Sequence, residues 1–111
     1  MKYLDLAIKI AKAGSENRNY LIGCVGLRTD GAIVTSYNLW TKRPQHEAHA
    51  EFRVINKSDK GTTIWVSRVL RDGTWACAKP CVKCQSLIRN KGIKRVYYTT
   101  GPQTYSCWTV I

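Results

Sequence analysis

Two short motifs combine residue types that bind zinc with an acidic residue that can move protons. The motif H-A-E at residues 49–51 places an imidazole two residues before a carboxylate, and P-C-V-K-C at residues 80–84 places two thiols three positions apart. Two thiolates and one imidazole fill three positions of a tetrahedral Zn²⁺ site, and an open fourth position is typical of a catalytic rather than a structural zinc. We therefore predict zinc ligands at His49, Cys81 and Cys84.

Glu51 supplies the group that such a site needs for hydrolysis. Zinc makes water a nucleophile near neutral pH. A carboxylate two residues beyond a ligand can lie beside that water without ligating the metal, accept its proton and pass the proton on. Water attack on an amine-bearing ring carbon, followed by loss of ammonia, is hydrolytic deamination, and we predict Glu51 as its catalytic acid and base.

The elements that must position these motifs follow from hydrophobic periodicity and turn residues. The Thr29-Asp30-Gly31 turn separates two apolar runs and predicts a β-hairpin. The predicted helices are 2–13, 49–56 and 81–91, and the predicted strands are 21–27, 32–37, 62–70, 93–100 and a final strand within 101–111. This order predicts an α/β fold, in which helices pack on a mixed five-stranded sheet that ends in a short C-terminal β-hairpin.

Size and composition favour one globular domain, residues 1–111. Hydrophobic residues make up 44% of the 111 residues and charged residues 23%, which excludes a disordered or collagen-like chain. The net charge is +11, and nine basic residues from Lys60 onward face a single acid, Asp72. Such a surface attracts polyanions, so nucleic acids, nucleotides or anionic membranes are the favoured partners.

The role of the cysteines depends on the cellular compartment that the sequence predicts. The opening M-K-Y-L-D-L-A-I-K-I has charges at Asp5 and Lys9 where a signal peptide would be apolar, and no apolar run reaches the length of a membrane span. We therefore expect an intracellular, cytoplasmic protein with no membrane partner. In a reducing compartment five cysteines are metal ligands or buried thiols rather than disulfides. Cys24 and Cys107 are expected to be buried thiols.

On these residues the sequence resembles the cytidine deaminase superfamily. The pattern H-x-E followed by P-C-x-x-C is typical of zinc deaminases, and residues 22–38 and 80–98 resemble the hairpin and the helix–strand unit around it, most of all in deoxycytidylate deaminases. The resemblance implies a three-layer fold, a zinc site at the predicted ligands, a ribose contact from Asn38 and a backbone N–H of Ala50 that holds the base carbonyl. It also leaves homo-oligomerisation open, and the C-terminal end resembles the short hairpin of free-cytidine and nucleic-acid deaminases.

Further substrate-binding residues are predicted from side-chain chemistry. Cys24 stands beside the base pocket that the resemblance implies. Aromatic rings can stack on a base, although each could equally fill the core, and the candidates are Trp40, Trp75, Tyr105 and Trp108. Basic residues leading toward the motifs could contact phosphates, and these are Lys42, Arg43, Arg68, Arg71 and Lys79. A solvated face is the expectation for Arg89, Lys91, Lys94 and Arg95.

Together these observations predict a zinc-dependent hydrolase of cyclic amidine C–N bonds that converts cytosine to uracil in a phosphate-bearing substrate. The net charge of +11 favours single-stranded DNA or RNA over free CMP or dCMP. Three alternatives remain. The substrate could be dCMP or cytidine in nucleotide metabolism, or adenosine in RNA, which the same machinery attacks at C6. In the third, the chain is a non-catalytic nucleic-acid-binding module in which Cys77 completes a structural zinc site.

Overall fold

The computed structural model describes residues 2–13, 21–38 and 50–110. Its helices are α1 (Lys2–Ala13), α2 (Ala50–Ile55) and α3 (Val82–Lys91). Its strands are β1 (Leu21–Leu27), β2 (Ile33–Tyr37), β3 (Thr63–Val69), β4 (Trp75–Ala76), β5 (Arg95–Gly101) and β6 (Thr104–Thr109). The sheet has the strand order β2-β1-β3-β5-β6, and β4 pairs with the last two residues of β3. Only the pairing of β3 with β5 is parallel among the described strands, so the predicted mixed α/β sheet is confirmed.

The sheet lies between two helical layers, each with its own apolar cluster. The helical spacing in α1 buries the four residues predicted from it, Leu4, Ala7, Ile8 and Ala11, against one face of β1 and β3. On the opposite face, residues of α2 and α3 such as Val54 and Ile88 pack with Cys24, Val66 and Val96. Alternate residues of a strand point to opposite faces, so β1 contributes Cys24 to one cluster and Val25 to the other.

The contact between α1 and β1 requires a glycine. A Cβ atom at Gly23 would lie 2.0 Å from the carbonyl oxygen of Ala7 and 2.6 Å from the backbone nitrogen of Ala11. Both atoms belong to the backbone of α1, which cannot move aside as the end of a flexible side chain can. Gly23 therefore lets the helix axis approach the sheet more closely than any other residue at this position would allow.

The strand topology brings the carboxyl ends of β2 and β3, which precede the helices of the two motifs, to the same edge of the sheet. Strands β2 and β3 are both antiparallel to β1, so their carboxyl ends lie at the same edge. The first helix after β2 in the described residues is α2, and α3 follows β3 and β4. The side chain of Arg53 in α2 donates a hydrogen bond to the carbonyl oxygen of Tyr37 at the end of β2, at 2.8 Å. This bond ties α2 to the edge at which the motifs are expected.

One strand was not predicted from the sequence. The Asp72-Gly73 pair forms a turn as expected, with the backbone N–H of Leu70 donating to the carbonyl of Thr74 at 2.8 Å. The turn closes a hairpin of β3 and the two-residue β4, which is too short to show an alternating pattern. The five predicted strands are all present, and the predicted C-terminal hairpin is formed by β5 and β6. Among the described residues, no helix combines the length and the apolar character needed to cross a bilayer.

Candidate active site

Helix α3 presents the two cysteines of the second motif. Cys81 occupies the N-cap position with φ −67° and ψ 167°, and its side chain makes no capping hydrogen bond. Cys84, one turn further along α3, is buried. Residues three apart share a helix face, so both thiols lie on the same side of the first turn. The helix ends as predicted at Gly92, whose φ of 80° lets its N–H bond the carbonyls of Ile88 and Arg89.

The loop that leads to Cys81 is held by hydrogen bonds to its backbone groups. The N–H of Ala78 donates to the carbonyl of Thr99 at 2.8 Å, and the Thr99 hydroxyl donates to the carbonyl of Ala76 at 2.6 Å. Beyond the loop, Nε2 of Gln85 donates to the carbonyl of Pro80 at 2.8 Å. The position of Cys81 is therefore fixed from β5 on one side and from α3 on the other.

Glu51 meets the second cysteine. Its side chain is only 5% exposed and shares a hydrogen bond with the thiol of Cys84. Burial raises the pKa of the Glu51 carboxyl above its ordinary value, while hydrogen bonds from its own backbone N–H and from Cys84 partly offset this increase. Its Oε1 atom is buried and has no hydrogen-bond partner among the described residues. A buried acceptor of this kind is costly unless another group supplies a donor.

Two cysteine thiols, Cys84 and Cys24, lie close to this carboxylate. Burial raises the pKa of the Cys84 thiol, and the nearby Glu51 and Cys81 raise it further. The pKa of Cys24 lies well above its ordinary value for the same reasons, burial first and then Glu51 and Cys84. Their negative forms disfavour one another, and a bound divalent cation reverses this effect. The cluster is thus chemically suited to a cation.

The described residues give part of a zinc site. No group of three His, Cys, Asp or Glu residues within the described part of the chain is arranged to hold a metal ion. The third predicted ligand, His49, lies outside the described residues and directly precedes Ala50. The two thiols on one face of α3 and the unpartnered Oε1 of Glu51 fit zinc, because they supply soft ligands and an acceptor for water at one place.

Two of the predicted substrate-binding residues, Cys24 and Ala50, lie near Glu51. Cys24 and Ala50 are fully buried in the same apolar cluster. Asn38, 7% exposed, directly follows β2, and its Oδ1 accepts a hydrogen bond from the N–H of Ile22 at 2.9 Å. Its own N–H donates to the carbonyl of Ile22 at 3.1 Å. Asn38 is thereby fixed at the sheet edge from which α2 and α3 begin.

Other predicted residues are placed elsewhere. Trp75 packs with the cluster around α1, which agrees with a core role rather than with a role in the base pocket. Tyr105 pairs with Thr99 in the β-ladder and is 50% exposed, and strand alternation places it on the α1 face. Trp40, Lys42 and Arg43 lie outside the described residues. Cys107, expected to be buried, is exposed; it lies on β6, which has a neighbouring strand on one side only among the described residues.

Sequence reasoning missed one surface. Arg89 is exposed, as expected for a solvated face, and its guanidinium carbon also lies 5.1 Å from the centroid of the Trp108 ring. Gln85 and Arg89 are four residues apart on α3, a spacing that places both on one helix face. The spacing of Gln85 and Arg89 is visible in the sequence, but the position of β6 opposite this face of α3 is not.

Comparison with known proteins agrees with this fold and identifies the family. The family model described as the cytidine and deoxycytidylate deaminase zinc-binding region matches residues 1–100, and the chain belongs to this family. A tRNA-specific adenosine deaminase of Buchnera aphidicola subsp. Schizaphis graminum is 27% identical over 96 residues. The match covers 86% of this chain and 62% of that relative, so the chain spans less than two thirds of its length.

Two solved structures share the fold. A cytidine deaminase from Burkholderia pseudomallei superposes with a TM-score of 0.65 at 17% identity, covering 96% of this chain and 91% of that one. A dCMP deaminase from cyanophage S-TIM5 superposes with a TM-score of 0.61 at 18% identity, covering 89% of this chain and 80% of that one. At these identities the likeness concerns the three-layer arrangement of sheet and helices alone.

Proposed function

We propose that this chain is a zinc-dependent hydrolytic deaminase that converts cytosine to uracil in a phosphate-bearing substrate. The observation that carries the proposal is the pairing of Glu51 with Cys84. It joins a buried carboxylate with a free Oε1, within the described residues, to a cysteine of the predicted ligand set. The family match supports the same chemistry.

The proposed roles follow from the position of each residue. His49, Cys81 and Cys84 would hold zinc, which supplies Lewis acidity that makes water a nucleophile near neutral pH. Glu51 accepts the proton of the attacking water as the oxygen bonds to C4 of cytosine, and it delivers this proton to N3. It then takes the remaining proton from the hydroxyl on C4 and passes it to the amine, so that the C4–N bond breaks, ammonia leaves and the C4 carbonyl of uracil forms. The raised pKa of Glu51 suits a group that both accepts and donates protons.

Substrate contacts are assigned to the residues around this centre. Asn38, at the edge of the sheet, is proposed to contact the ribose, and the backbone N–H of Ala50 to hold the base carbonyl. Cys24 forms part of the wall of the base pocket. The net charge of +11 favours a substrate with several phosphates, so we place single-stranded DNA or RNA ahead of free CMP or dCMP. A base inside a duplex is inaccessible to a pocket of this kind.

A second candidate substrate is adenosine in RNA. The curated relative is a tRNA-specific adenosine deaminase, and the same zinc chemistry attacks C6 of adenine. The motifs are common to both reactions, so the base pocket decides between them.

Product analysis by mass spectrometry tests the proposal. The zinc-loaded protein is incubated with cytidine, CMP, dCMP, adenosine-containing RNA, and single-stranded DNA and RNA that contain cytosine. Deamination replaces an amine by an oxygen and adds about one dalton to the product. We expect this gain at cytosine with the wild type and none with Glu51→Gln, whose zinc content and melting temperature should match those of the wild type. A gain at adenosine alone would select the second candidate, and turnover by the variant would refute the mechanism.

A further inference from the structure

A groove of about 270 Å³ lies between α3 and the edge strand β6. Lys79, Gln85 and Arg89 line it from the side of the loop and helix, and Tyr98 and Trp108 line it from the sheet. None of these five side chains has a part in the mechanism proposed above. The groove nevertheless begins close to the candidate zinc site, because Pro80, the residue before Cys81, also lines it.

Two contacts hold side chains of the groove in place. The guanidinium of Arg89 lies over the ring of Trp108, and Nε2 of Gln85 is bonded to the carbonyl of Pro80. Tyr98 and Trp108 both pack against the apolar cluster of α2 and α3, so their rings are on the same face of the sheet as the candidate zinc site. The lining is therefore an arrangement of two cations and two rings on a rigid helix and sheet.

This combination fits one kind of ligand. Cationic side chains bind phosphates, and aromatic rings provide platforms on which a base stacks. An acidic peptide would use the cations but not the rings. The volume is slightly below the usual range for small-molecule sites, about 300–1,000 Å³, and so suits a single nucleotide unit rather than a large cofactor.

We propose that the α3–β6 groove binds a nucleotide that flanks the target nucleotide in a single-stranded nucleic acid. The inference rests on the proposed function, because it names the substrate class of the same site. From Val82, where α3 begins, to Arg89 the chain advances about 10 Å along the helix axis, at about 1.5 Å per residue. A neighbouring nucleotide of a strand can reach along this distance, whereas a free mononucleotide in the zinc site leaves the groove empty. The groove thus selects polynucleotides.

Binding measurements test the groove without any turnover. A fluorescently labelled oligothymidylate, which offers no cytosine, is titrated with the zinc-loaded protein at several salt concentrations. Lys79→Gln with Arg89→Gln should weaken binding about tenfold and reduce the salt slope by about 1.4, since each phosphate contact to a single strand contributes about 0.7. Trp108→Leu, which keeps apolar packing, should weaken binding about fivefold or more through lost stacking. Its melting temperature is measured alongside.

A matched control removes the same charge elsewhere. Lys91 and Lys94 are exposed and do not line the groove. The variant Lys91→Gln with Lys94→Gln should therefore keep most of the affinity. Equal losses of affinity in the two double variants would refute the proposal that the groove binds the strand, because binding would then depend on net charge alone. Tighter binding of polyglutamate than of oligothymidylate would overturn it as well.

The two proposals fail in different ways. If no substrate is deaminated by the zinc-loaded wild type, the proposed function is wrong, and the oligothymidylate titration still decides whether the groove binds a strand. If cytosine is deaminated but the groove variants bind the strand as the wild type does, only the groove is refuted. When both hold, the ratio of kcat/KM for a cytosine-containing oligonucleotide to that for dCMP should fall about tenfold in the groove double variant.

Discussion

The hydroxyl of Thr99 donates a hydrogen bond to the carbonyl of Ala76 at 2.6 Å, although the two residues are 23 positions apart. The same hydroxyl accepts a bond from the N–H of Arg68 at 3.1 Å, and the Thr99 carbonyl accepts one from Ala78. Thr99 is fully buried. The hydroxyl of Thr99 in β5 thus links the end of β3 with β4, and the Thr99 carbonyl holds the loop that leads to Cys81.

Replacing Thr99 by valine should destabilise the fold and loosen zinc together. Valine has nearly the same shape but leaves the Ala76 carbonyl and the Arg68 N–H without their partner, at a cost of about 1–3 kcal/mol. Urea unfolding should show this loss, and competition with a zinc chelator should show weaker metal retention. The control is Thr100→Val, whose exposed hydroxyl donates a hydrogen bond to the hydroxyl of Thr104 at 2.8 Å. It should change stability by less than about 0.5 kcal/mol, and equal effects of the two variants would contradict the role of Thr99.

Gly23→Ala should separate α1 from the sheet. The added methyl would lie 2.0 Å from the Ala7 carbonyl oxygen, and backbone cannot move aside as a side chain can. We expect a loss of about 3 kcal/mol or more in the free energy of unfolding, at the upper end of overpacking effects. Gly101→Ala is the comparison, because its Cβ would meet only the Thr104 hydroxyl at 3.4 Å. A Gly23→Ala protein as stable as this control would refute the close approach.

Helix α1, strand β4 and Thr99 illustrate which features of the fold the sequence predicts and which it does not. The spacing of Leu4, Ala7, Ile8 and Ala11 predicts α1 and its buried face, because a repeating apolar pattern is a local property of the chain. Strand β4 has no such pattern in its two residues, and it exists because the end of β3 offers a partner. The role of Thr99 is likewise invisible locally, since its partners lie 23 and 31 residues away.

In the candidate site, too, the sequence predicts some features and not others. Motif spacing predicts two cysteines on one face of α3 and an acidic residue at the start of α2, and these residues meet in the structure. Motif spacing cannot say which aromatic ring lies near them. Trp75 and Tyr105 were plausible stacking residues by type, but the strand faces on which they lie depend on pairing. Trp108 and Arg89 came together across the groove because β6 folds back beside α3.

The turn around Asp59 should make stability depend on acidic pH. Its carboxylate accepts hydrogen bonds from the hydroxyls of Thr29 and Thr62, the latter at 2.6 Å, and these bonds lower its pKa from 3.8 to about 2. A depressed pKa contributes stability that is present above the unfolded value and is lost as the pH falls from about 4 toward 2. Urea unfolding of metal-free protein between pH 5 and 2 should show this decline. It should be smaller in Asp59→Asn, and an unchanged profile would exclude the contribution.

Removal of zinc should destabilise the wild type but not a protein that lacks a ligand. A metal present at about a thousand times its Kd stabilises the folded state by about 4 kcal/mol. Chelation should therefore lower the Tm of the wild type and leave the Tm of Cys84→Ser unaffected. The comparison is made by differential scanning fluorimetry with and without chelator. Identical responses would mean that Cys84 does not bind the metal.

Cys77 decides between the catalytic and the structural zinc. It is exposed and lies four residues before Cys81, close enough in sequence to be a fourth ligand. In a catalytic site the fourth position is open to water, so Cys77→Ser should retain one zinc per chain and the wild-type Tm. Metal analysis by plasma mass spectrometry measures the first quantity, and Cys107→Ser, at another exposed thiol, is the control. If Cys77→Ser loses zinc and stability while Cys107→Ser does not, four protein ligands close the site, and hydrolysis at Glu51 must be abandoned.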